Sequence, residues 1–282
     1  MIAIDEPVIL TSALIGGHPS ANPNHPRTRD DIIREGVAAA RAGASILHIH
    51  ARTDGGRPTQ DADVYLSIAV ALRDHVPDII LNFTTGGSPG MSEDERLASL
   101  RASPELASLD AGSMNFGKDV LFVNSQSFID RMAREMGEAA VMPEIECFDA
   151  GMVMTGVGLI ERELVGRPAL FQFVLGVQGG APARVDTLAS LVSLLPEGTN
   201  WAAVAVGAPH FPIMAAVLAL GGHVRTGLED VAFTSRGVYA RSNAELVQRA
   251  VTMCAAVGRP VATSREARAL LALRGQVGRA PH

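Results

Sequence analysis

The sequence is poor in cysteine, in basic runs and in long apolar runs, and each shortage excludes a class of protein. Only two cysteines occur among the 282 residues, Cys147 and Cys254, and they form no Cys-x-x-Cys motif, so we expect neither a disulfide framework nor a thiolate metal cage. The formal net charge is -6 without any basic cluster, which argues against a nucleic-acid binder. Neither a membrane-spanning apolar run nor a leader pattern is present, so the sequence predicts a soluble, cytoplasmic protein without membrane partners.

Aromatic residues are also scarce, at 4% of the chain, whereas aliphatic residues and glycine are abundant. This composition is typical of α/β proteins, whose parallel strands are buried on both faces and form short aliphatic runs. The absence of Gly-x-Gly-x-x-Gly after the first apolar run argues against an open dinucleotide-binding sheet. Eight runs are predicted as strands: 8–13, 45–50, 78–83, 106–111, 140–147, 169–175, 200–206 and 222–225.

Helical patterns separate these eight runs. Thr28, Ser92, Ser242 and Thr263 each stand three residues before an acidic residue, as in the capping box that begins a helix. Helical spacing of apolar residues also covers 66–73, 128–135, 151–163, 185–194 and 212–220. Eight successive βα units predict one (β/α)8 TIM barrel domain over residues 1–282. A C-terminal helical tail is expected to pack on the barrel or on a neighbouring subunit.

Two histidines one residue apart, His48 and His50, end the second predicted strand. Alternate side chains of a strand point to the same face, so both imidazoles face the same way and can share one ion. Imidazole is the commonest metal ligand in proteins, and the pair is followed by a polar turn rich in glycine. This pattern favours a metal or catalytic site, although each histidine alone would also fit a buried structural role.

Polar residues follow the other predicted strands, at the end where a barrel has its active site. Glu229 or Asp230, after the eighth strand, is the natural third ligand for a catalytic zinc ion, which needs open coordination positions. Arg225 is suited to clamping a substrate acid or keeping a neighbouring carboxylate ionised. Hydroxyl groups that can bind an enolate or carboxylate oxygen belong to Thr84, Thr85 and Ser108. Each of these side chains also fits an ordinary turn, cap or ion pair.

The main alternative is a metal-dependent hydrolase of the amidohydrolase kind, which also carries His-x-His on a barrel strand. Those enzymes usually have the pair on the first strand and need further histidine ligands from middle strands. Here a plausible strand precedes the pair, and His210 and His223 are the other histidines expected near the mouth, both late in the chain. A non-enzymatic metal binder is a third interpretation, but it gives no purpose to a base, an arginine and open metal positions together.

The motifs occur in an order that resembles one family. They are His48-Ile-His50-Ala-Arg52, Thr84-Thr-Gly-Gly87, Ser108-Leu-Asp-Ala-Gly112-Ser-Met-Asn-Phe-Gly117, Pro143-Glu-Ile-Glu146 and His223-Val-Arg-Thr-Gly-Leu-Glu-Asp230. Together they resemble the beta-keto acid cleavage enzymes, and the resemblance covers nearly the whole chain. The resemblance implies an acyltransferase that converts a β-keto acid and acetyl-CoA into acetoacetate and a new acyl-CoA.

The resemblance also implies a zinc-dependent (β/α)8 barrel that forms a homotetramer. It makes His48, His50 and Glu229 the ligands of one zinc ion per subunit. It makes Asp230 the proton acceptor, and it places Arg225, Ser108 and Glu144 in the network that positions and tunes Asp230. It assigns substrate binding to Thr84, which stands where the family often has serine, and to the adjoining Thr85 and Gly86.

One departure from the family bears on the substrate. Members that cleave 3-keto-5-aminohexanoate have a glutamate after the first strand that meets the ammonium group of the substrate. The matching region here is Gly16-Gly-His18-Pro-Ser-Ala-Asn22, and His18 is the nearest match. We therefore expect the β-keto acid to be neutral, polar or anionic rather than a cationic amine, with His18 as a substrate-binding residue.

Overall fold

A computed structural model describes residues 6–17, 20–88 and 90–273 as a closed barrel of eight parallel strands in chain order. The ring closes where Thr11 of the first strand lies beside Arg225 of the last. Each of the eight predicted runs overlaps one strand, so the TIM barrel is confirmed. The strands are β1 (Leu10–Ala13), β2 (Ile46–Ile49), β3 (Ile80–Phe83), β4 (Leu106–Asp110), β5 (Met142–Cys147), β6 (Leu170–Leu175), β7 (Asn200–Ala205) and β8 (His223–Thr226).

Helices follow the strands along the chain, and a short 3-10 helix, Ala98–Ala102, extends the third of them. They are α1 (Arg29–Arg41), α2 (Ala62–His75), α3 (Glu93–Leu97), α4 (Gln126–Glu138), α5 (Ala150–Glu161), α6 (Val185–Val192), α7 (His210–Ala219), α8 (Asn243–Ala256) and α9 (Ser264–Leu270). In the described part of the chain, none is long and apolar enough to cross a membrane.

The predicted helix starts rest on local hydrogen bonds that the structure shows directly. Thr28, Ser92 and Thr263 form complete capping boxes, in which the hydroxyl accepts from the third residue's N–H and the acidic side chain accepts from the cap's N–H. Ser242 caps α8 in the same way, but Glu245 accepts from the N–H of Arg241 at 2.7 Å. These caps fix where four helices begin.

The C-terminal tail closes the bottom of the barrel. Ala267 and Leu271 pack against an apolar layer formed by the inward side chains Ile46, Ile80, Leu106 and Leu170, at the amino ends of the strands. Arg268 anchors α9 through two hydrogen bonds to the buried carboxylate of Glu105, at 2.6 and 2.8 Å. Of the two expected positions for the tail, the structure shows packing on the chain's own barrel.

Two β-hairpins extend from loops at the opposite end, the mouth of the barrel. The 114–122 hairpin pairs Met114–Phe116 with Val120–Phe122, after β4. The 233–239 hairpin pairs Phe233–Ser235 with Val238–Tyr239, after β8. Their positions place both beside the side chains predicted to form the site.

Candidate active site

His48 lies on the inward face of β2, above the apolar layer, and His50 directly follows the strand. The ring centroids are 5.2 Å apart, and His48 is 1% exposed. The carboxylate of Glu229 faces both rings, with Oε2 3.9 Å from Nε2 of His48 and Oε1 3.5 Å from Nε2 of His50. Ligand atoms of the three residues all lie within 4.8 Å of one another, which is close enough for one metal ion.

Glycines let the loop after β8 bring Glu229 to this position. Gly227 has φ +156, and a Cβ there would lie 1.9 Å from the carbonyl oxygen of Ala13, so only glycine permits this approach. The N–H of Glu229 then donates to the same carbonyl at 3.3 Å. A Cβ on Gly16 would lie 2.8 Å from Cγ of Glu229. The loop after β1 and the loop after β8 therefore meet at the carboxylate.

The protonation states of this cluster suit a cation. Burial lowers the pKa of His48 to about 3, so its imidazole is neutral and has a free lone pair. Burial opposes ionisation of Glu229, but Arg225 and the two histidines outweigh it and hold the pKa of that carboxyl below its usual range. The buried atoms His48 Nδ1 and Glu229 Oε2 make no hydrogen bond within the described residues. The neutral imidazole of His48 and the ionised carboxylate of Glu229 are donors that zinc prefers, and His50 adds a second imidazole, so these residues fit the ion.

Arg225 connects three carboxylates at the centre of the mouth. This side chain is 3% exposed and donates to Oε1 of Glu146 and Oε1 of Glu229, each at 2.7 Å. Nε and Nη2 donate to the two carboxylate oxygens of Asp230, each at 3.1 Å. Such charge-assisted, two-pronged pairing orients a carboxylate as well as balancing its charge.

Burial and the neighbouring guanidinium act in opposite directions on Asp230. Burial raises the pKa of this carboxyl, the Arg225 guanidinium lowers it, and Glu229 raises it, with the result at about 6. The effect of burial on the pKa of Asp230 is therefore larger than that of Arg225, and the sequence alone could not rank the two effects. A carboxylate with a pKa near neutrality can both accept and return a proton.

Glu144 lies one inward position below Glu146 on β5. Glu144 is 1% exposed, and its Oε1 has no hydrogen-bond partner among the described residues. Burial raises its pKa to about 7, while Arg225 and the amide of Asn82 partly offset that effect. Glu146, by contrast, bonds directly to Arg225. The predicted residue is thus in the site, but its neighbour on the same face makes the contact with the arginine.

The predicted substrate loop begins at the carboxyl end of β3. The Thr84 hydroxyl accepts a hydrogen bond from the N–H of Gly86 at 2.9 Å. The Thr85 hydroxyl donates to the Ser108 carbonyl at 2.7 Å, and the Ser108 hydroxyl accepts from the N–H of Thr85 at 3.1 Å. Ser108 therefore holds this loop against β4.

An arginine that the sequence did not single out supports the same loop. Arg96, which is 6% exposed, donates to the Thr85 carbonyl at 2.8 Å, and its guanidinium lies over the rings of Phe122 and Phe128. Asp110 faces it at 3.8 Å. Burial raises the pKa of Asp110, and Arg96 lowers it in part. Arg96 thus ties the Thr84–Gly87 loop to the 114–122 hairpin.

The chain matches the model of the family BKACE, beta-keto acid cleavage enzyme, over residues 7–273. It belongs to that family. A 3-keto-5-aminohexanoate cleavage enzyme from Fusobacterium nucleatum is 41% identical over 271 residues, covering 95% of this chain and 99% of the relative. A 3-oxoadipate:acetyl-CoA acetyltransferase from Cupriavidus necator is 36% identical over 274 residues, 95% of each chain. The apo structure of ObcA shares the fold, with a TM-score of 0.78 at 22% identity, over 89% of this chain and 66% of that one.

The remaining histidines do not support the hydrolase alternative. His223 was expected near the mouth, but it starts β8 at the bottom of the barrel, where its Nδ1 accepts from the N–H of Ile9 at 3.2 Å. That expectation was wrong because His223 opens the strand rather than ending it. The two ring nitrogens of His210 bond the Ala205 carbonyl and the Thr226 hydroxyl, at 2.9 and 2.8 Å. Both histidines therefore form structural hydrogen bonds within the barrel.

The other assignments differ in what sequence could reveal. His18 lies outside the described residues, so its role stays a prediction. Glu146 was visible as a second acid on the inward face of β5, but strand periodicity cannot say which of two acids reaches an arginine across the barrel. Arg96 carries no sequence signal, because an arginine at the end of a short helix is ordinarily a surface residue.

Proposed function

We propose that this family member is a zinc-dependent acyltransferase that exchanges acyl groups between a β-keto acid and acetyl-CoA, giving acetoacetate and a new acyl-CoA. The observation that carries the proposal is the cluster His48, His50 and Glu229 directly beside the pair Arg225 and Asp230. The cluster has the donor set of a catalytic zinc site with three protein ligands, and His48 is neutral there. The relatives' names supply the two substrates, a β-keto acid and acetyl-CoA.

In the proposed site, His48, His50 and Glu229 hold the ion. Zinc bound there supplies a Lewis acid for the keto and carboxylate oxygens of the β-keto acid, which lowers the pKa of the C2 proton. Asp230 accepts that proton, and Arg225 keeps the Asp230 carboxylate oriented through two hydrogen bonds. Ser108 and Arg96 hold the Thr84–Gly87 loop, in which the Thr84 hydroxyl binds the substrate carboxylate.

The chemistry then balances without another reactant. The C2 carbanion attacks the acetyl carbonyl and expels the CoA thiolate, which gives a 2-acetyl-3-keto acid. The thiolate attacks the original keto carbon, and the bond from that carbon to C2 breaks. The new acyl-CoA leaves, and acetoacetate recovers its C2 proton from Asp230. The base is thereby regenerated, which fits a carboxyl with a pKa near neutrality.

The substrate proposed is a β-keto acid that is neutral, polar or anionic beyond its carboxylate. The segment that crosses the site after β1 presents Gly16 and Gly17, and a Cβ on Gly17 would lie 3.8 Å from Nδ1 of His50. No carboxylate comes from these two positions. The nearby guanidinium of Arg52 is 5% exposed and bonds the carbonyls of Ala51 and Gly16. A cation at this wall disfavours an ammonium group.

The test is to incubate zinc-loaded protein and acetyl-CoA with β-keto acids of differing charge and follow acetoacetate and acyl-CoA by mass spectrometry. Glu229→Gln should lose both zinc and product, whereas Asp230→Asn should keep zinc and lose product, because Asp230 is not among the proposed ligands. Metal content measured by elemental analysis separates these two effects. No product from any acid would refute the reaction. Faster turnover of 3-keto-5-aminohexanoate than of every other acid would refute the proposed substrate class.

A further inference from the structure

The 233–239 hairpin carries two exposed aromatic side chains, Phe233 and Tyr239. Phe233 and Tyr239 lie opposite each other across the hairpin, with ring centroids 4.6 Å apart and planes 19° from parallel. Phe233 is 37% exposed and Tyr239 41%. No other Phe, Tyr or Trp of the described chain is exposed to this extent. An exposed, stacked pair is unusual enough to require an explanation.

The hairpin is adjacent to the proposed catalytic residues. Phe233 follows Asp230 by three residues, so at most about 11 Å of extended chain separates them. Asn22, from the loop after β1, donates to the carbonyls of Ala232 and Ala240 at 2.7 and 2.8 Å. These bonds tie the base of the hairpin to the segment that crosses the metal ligands.

The base of the hairpin is also packed against α8. Val231 and Ala240 belong to a small apolar cluster that includes Leu246 of α8. Arg249 of α8 lies with its guanidinium 3.6 Å from the ring centroid of Phe211 and donates to the Thr234 carbonyl. The ring pair therefore forms a platform on a packed base.

Acidic residues are absent from the two chain segments that form and adjoin this platform. The segments 14–29 and 231–241 contain no Asp or Glu, whereas the chain as a whole has a net charge of -6. Arg236 is exposed at the tip of the hairpin, and the described residues place no carboxylate in ion-pair contact with it. A flat aromatic surface next to an exposed arginine matches a purine base that carries phosphates.

We propose that the 233–239 hairpin binds the nucleotide end of acetyl-CoA, with adenine on the exposed Phe233–Tyr239 pair and the ribose 3′-phosphate at Arg236. The inference rests on the proposed function, because it assumes that acetyl-CoA is the co-substrate. It assigns the thioester to the mouth beside Asp230 and the adenosine to the outer rim. The pantetheine arm then spans the distance between them.

Acyl donors with and without the nucleotide test this assignment. Tyr239→Ala should raise the KM for acetyl-CoA about tenfold, which corresponds to roughly 1.4 kcal/mol, and should leave kcat/KM for acetyl-pantetheine within twofold of wild type. Arg236→Gln should abolish the preference of the wild type for acetyl-CoA over its 3′-dephospho form. Leu121→Ala, at a 66% exposed position on the 114–122 hairpin, is the matched control and should change neither.

A binding measurement keeps the two proposals distinguishable. Adenosine 3′,5′-bisphosphate should bind the wild type in calorimetry and bind Tyr239→Ala at least tenfold more weakly, whatever the activity of the protein. If the wild type transfers acetyl groups and the variants match it with both donors, the hairpin assignment is wrong. The assignment would also be wrong if Tyr239→Ala lowered kcat/KM for acetyl-pantetheine as much as for acetyl-CoA. A change in the oligomer mass of Tyr239→Ala without a change in nucleotide binding would likewise overturn it. If no donor is used, the reaction itself fails.

Discussion

Replacing Arg225 by glutamine is the most informative perturbation of the site. Arg225 makes four hydrogen bonds to three carboxylates and is 3% exposed, so its removal leaves three buried acids without their cation. Charge-assisted hydrogen bonds are worth about 1.5–3 kcal/mol each, which would total roughly 6–12 kcal/mol. Glu146 and Asp230 have raised pKa values and relieve part of this by taking up protons. We therefore expect a loss of about 3–5 kcal/mol, as for other broken buried ion pairs.

The assay is urea unfolding of metal-free protein followed by circular dichroism. Arg131→Gln is the matched control, because Arg131 also contacts three carboxylates, those of Glu93, Asp94 and Glu135, but is 37% exposed. Water screens that network, so its loss should lower the unfolding free energy far less than the loss of Arg225 does. Similar losses for the two variants would refute the claim that burial gives the Arg225 network its strength.

A double variant checks the cause. In the Arg225→Gln background, Glu146→Gln should raise the free energy of unfolding, because it removes a buried carboxyl that no longer has a cation. The same substitution in the wild type should lower it, because the carboxylate that accepts from Arg225 is lost. The same sign in both backgrounds would contradict the pairing.

Two further predictions concern the barrel itself. Gly222→Ala should lower the free energy of unfolding by about 1–3 kcal/mol, because its Cβ would lie 2.4 Å from the ring of Trp201. Gly158→Ala, at a helical position with open space, should raise the free energy of unfolding by about 0.5–1 kcal/mol. Burial lowers the pKa values of His210 and His223 to about 4, so both are neutral in the fold and protonate on unfolding below pH 6.5. The free energy of unfolding should therefore fall as the pH is lowered below 6.5, by about 2 kcal/mol for each histidine at pH 5. Replacing both histidines by glutamine should make the free energy measured by urea unfolding less dependent on pH over that range. An unchanged pH dependence would disprove their contribution.

Local patterns were sufficient to predict the barrel. Each strand is a short aliphatic run, and each helix start at Thr28, Ser92 or Thr263 depends on two hydrogen bonds within four residues. Such interactions involve neighbours in the chain, so residue order specifies them. Strand patterns alternate with helix patterns along the chain. Few topologies fit this alternation, since parallel strands joined by helices close in chain order.

The same logic explains which parts of the site could be predicted. His48 and His50 are two residues apart on one strand, so their shared face follows from strand geometry alone. Their position after the eighth strand made Glu229 and Asp230 equal candidates for the third metal ligand, and the family resemblance favoured Glu229. In the structure, Glu229 faces the imidazoles, while Asp230 faces Arg225.

Distances across the barrel and the depth of burial were decided by the tertiary structure. Glu146 rather than Glu144 meets Arg225, Arg96 reaches the Thr84–Gly87 loop, and the tail seals the chain's own barrel. Burial raises the pKa of Asp230 despite the adjacent guanidinium. The strands, the helix starts and the paired histidines follow from residue order, because they depend on neighbours in the chain. Charge balance and contacts between distant strands depend on the closed barrel, which brings those groups together and removes water from them.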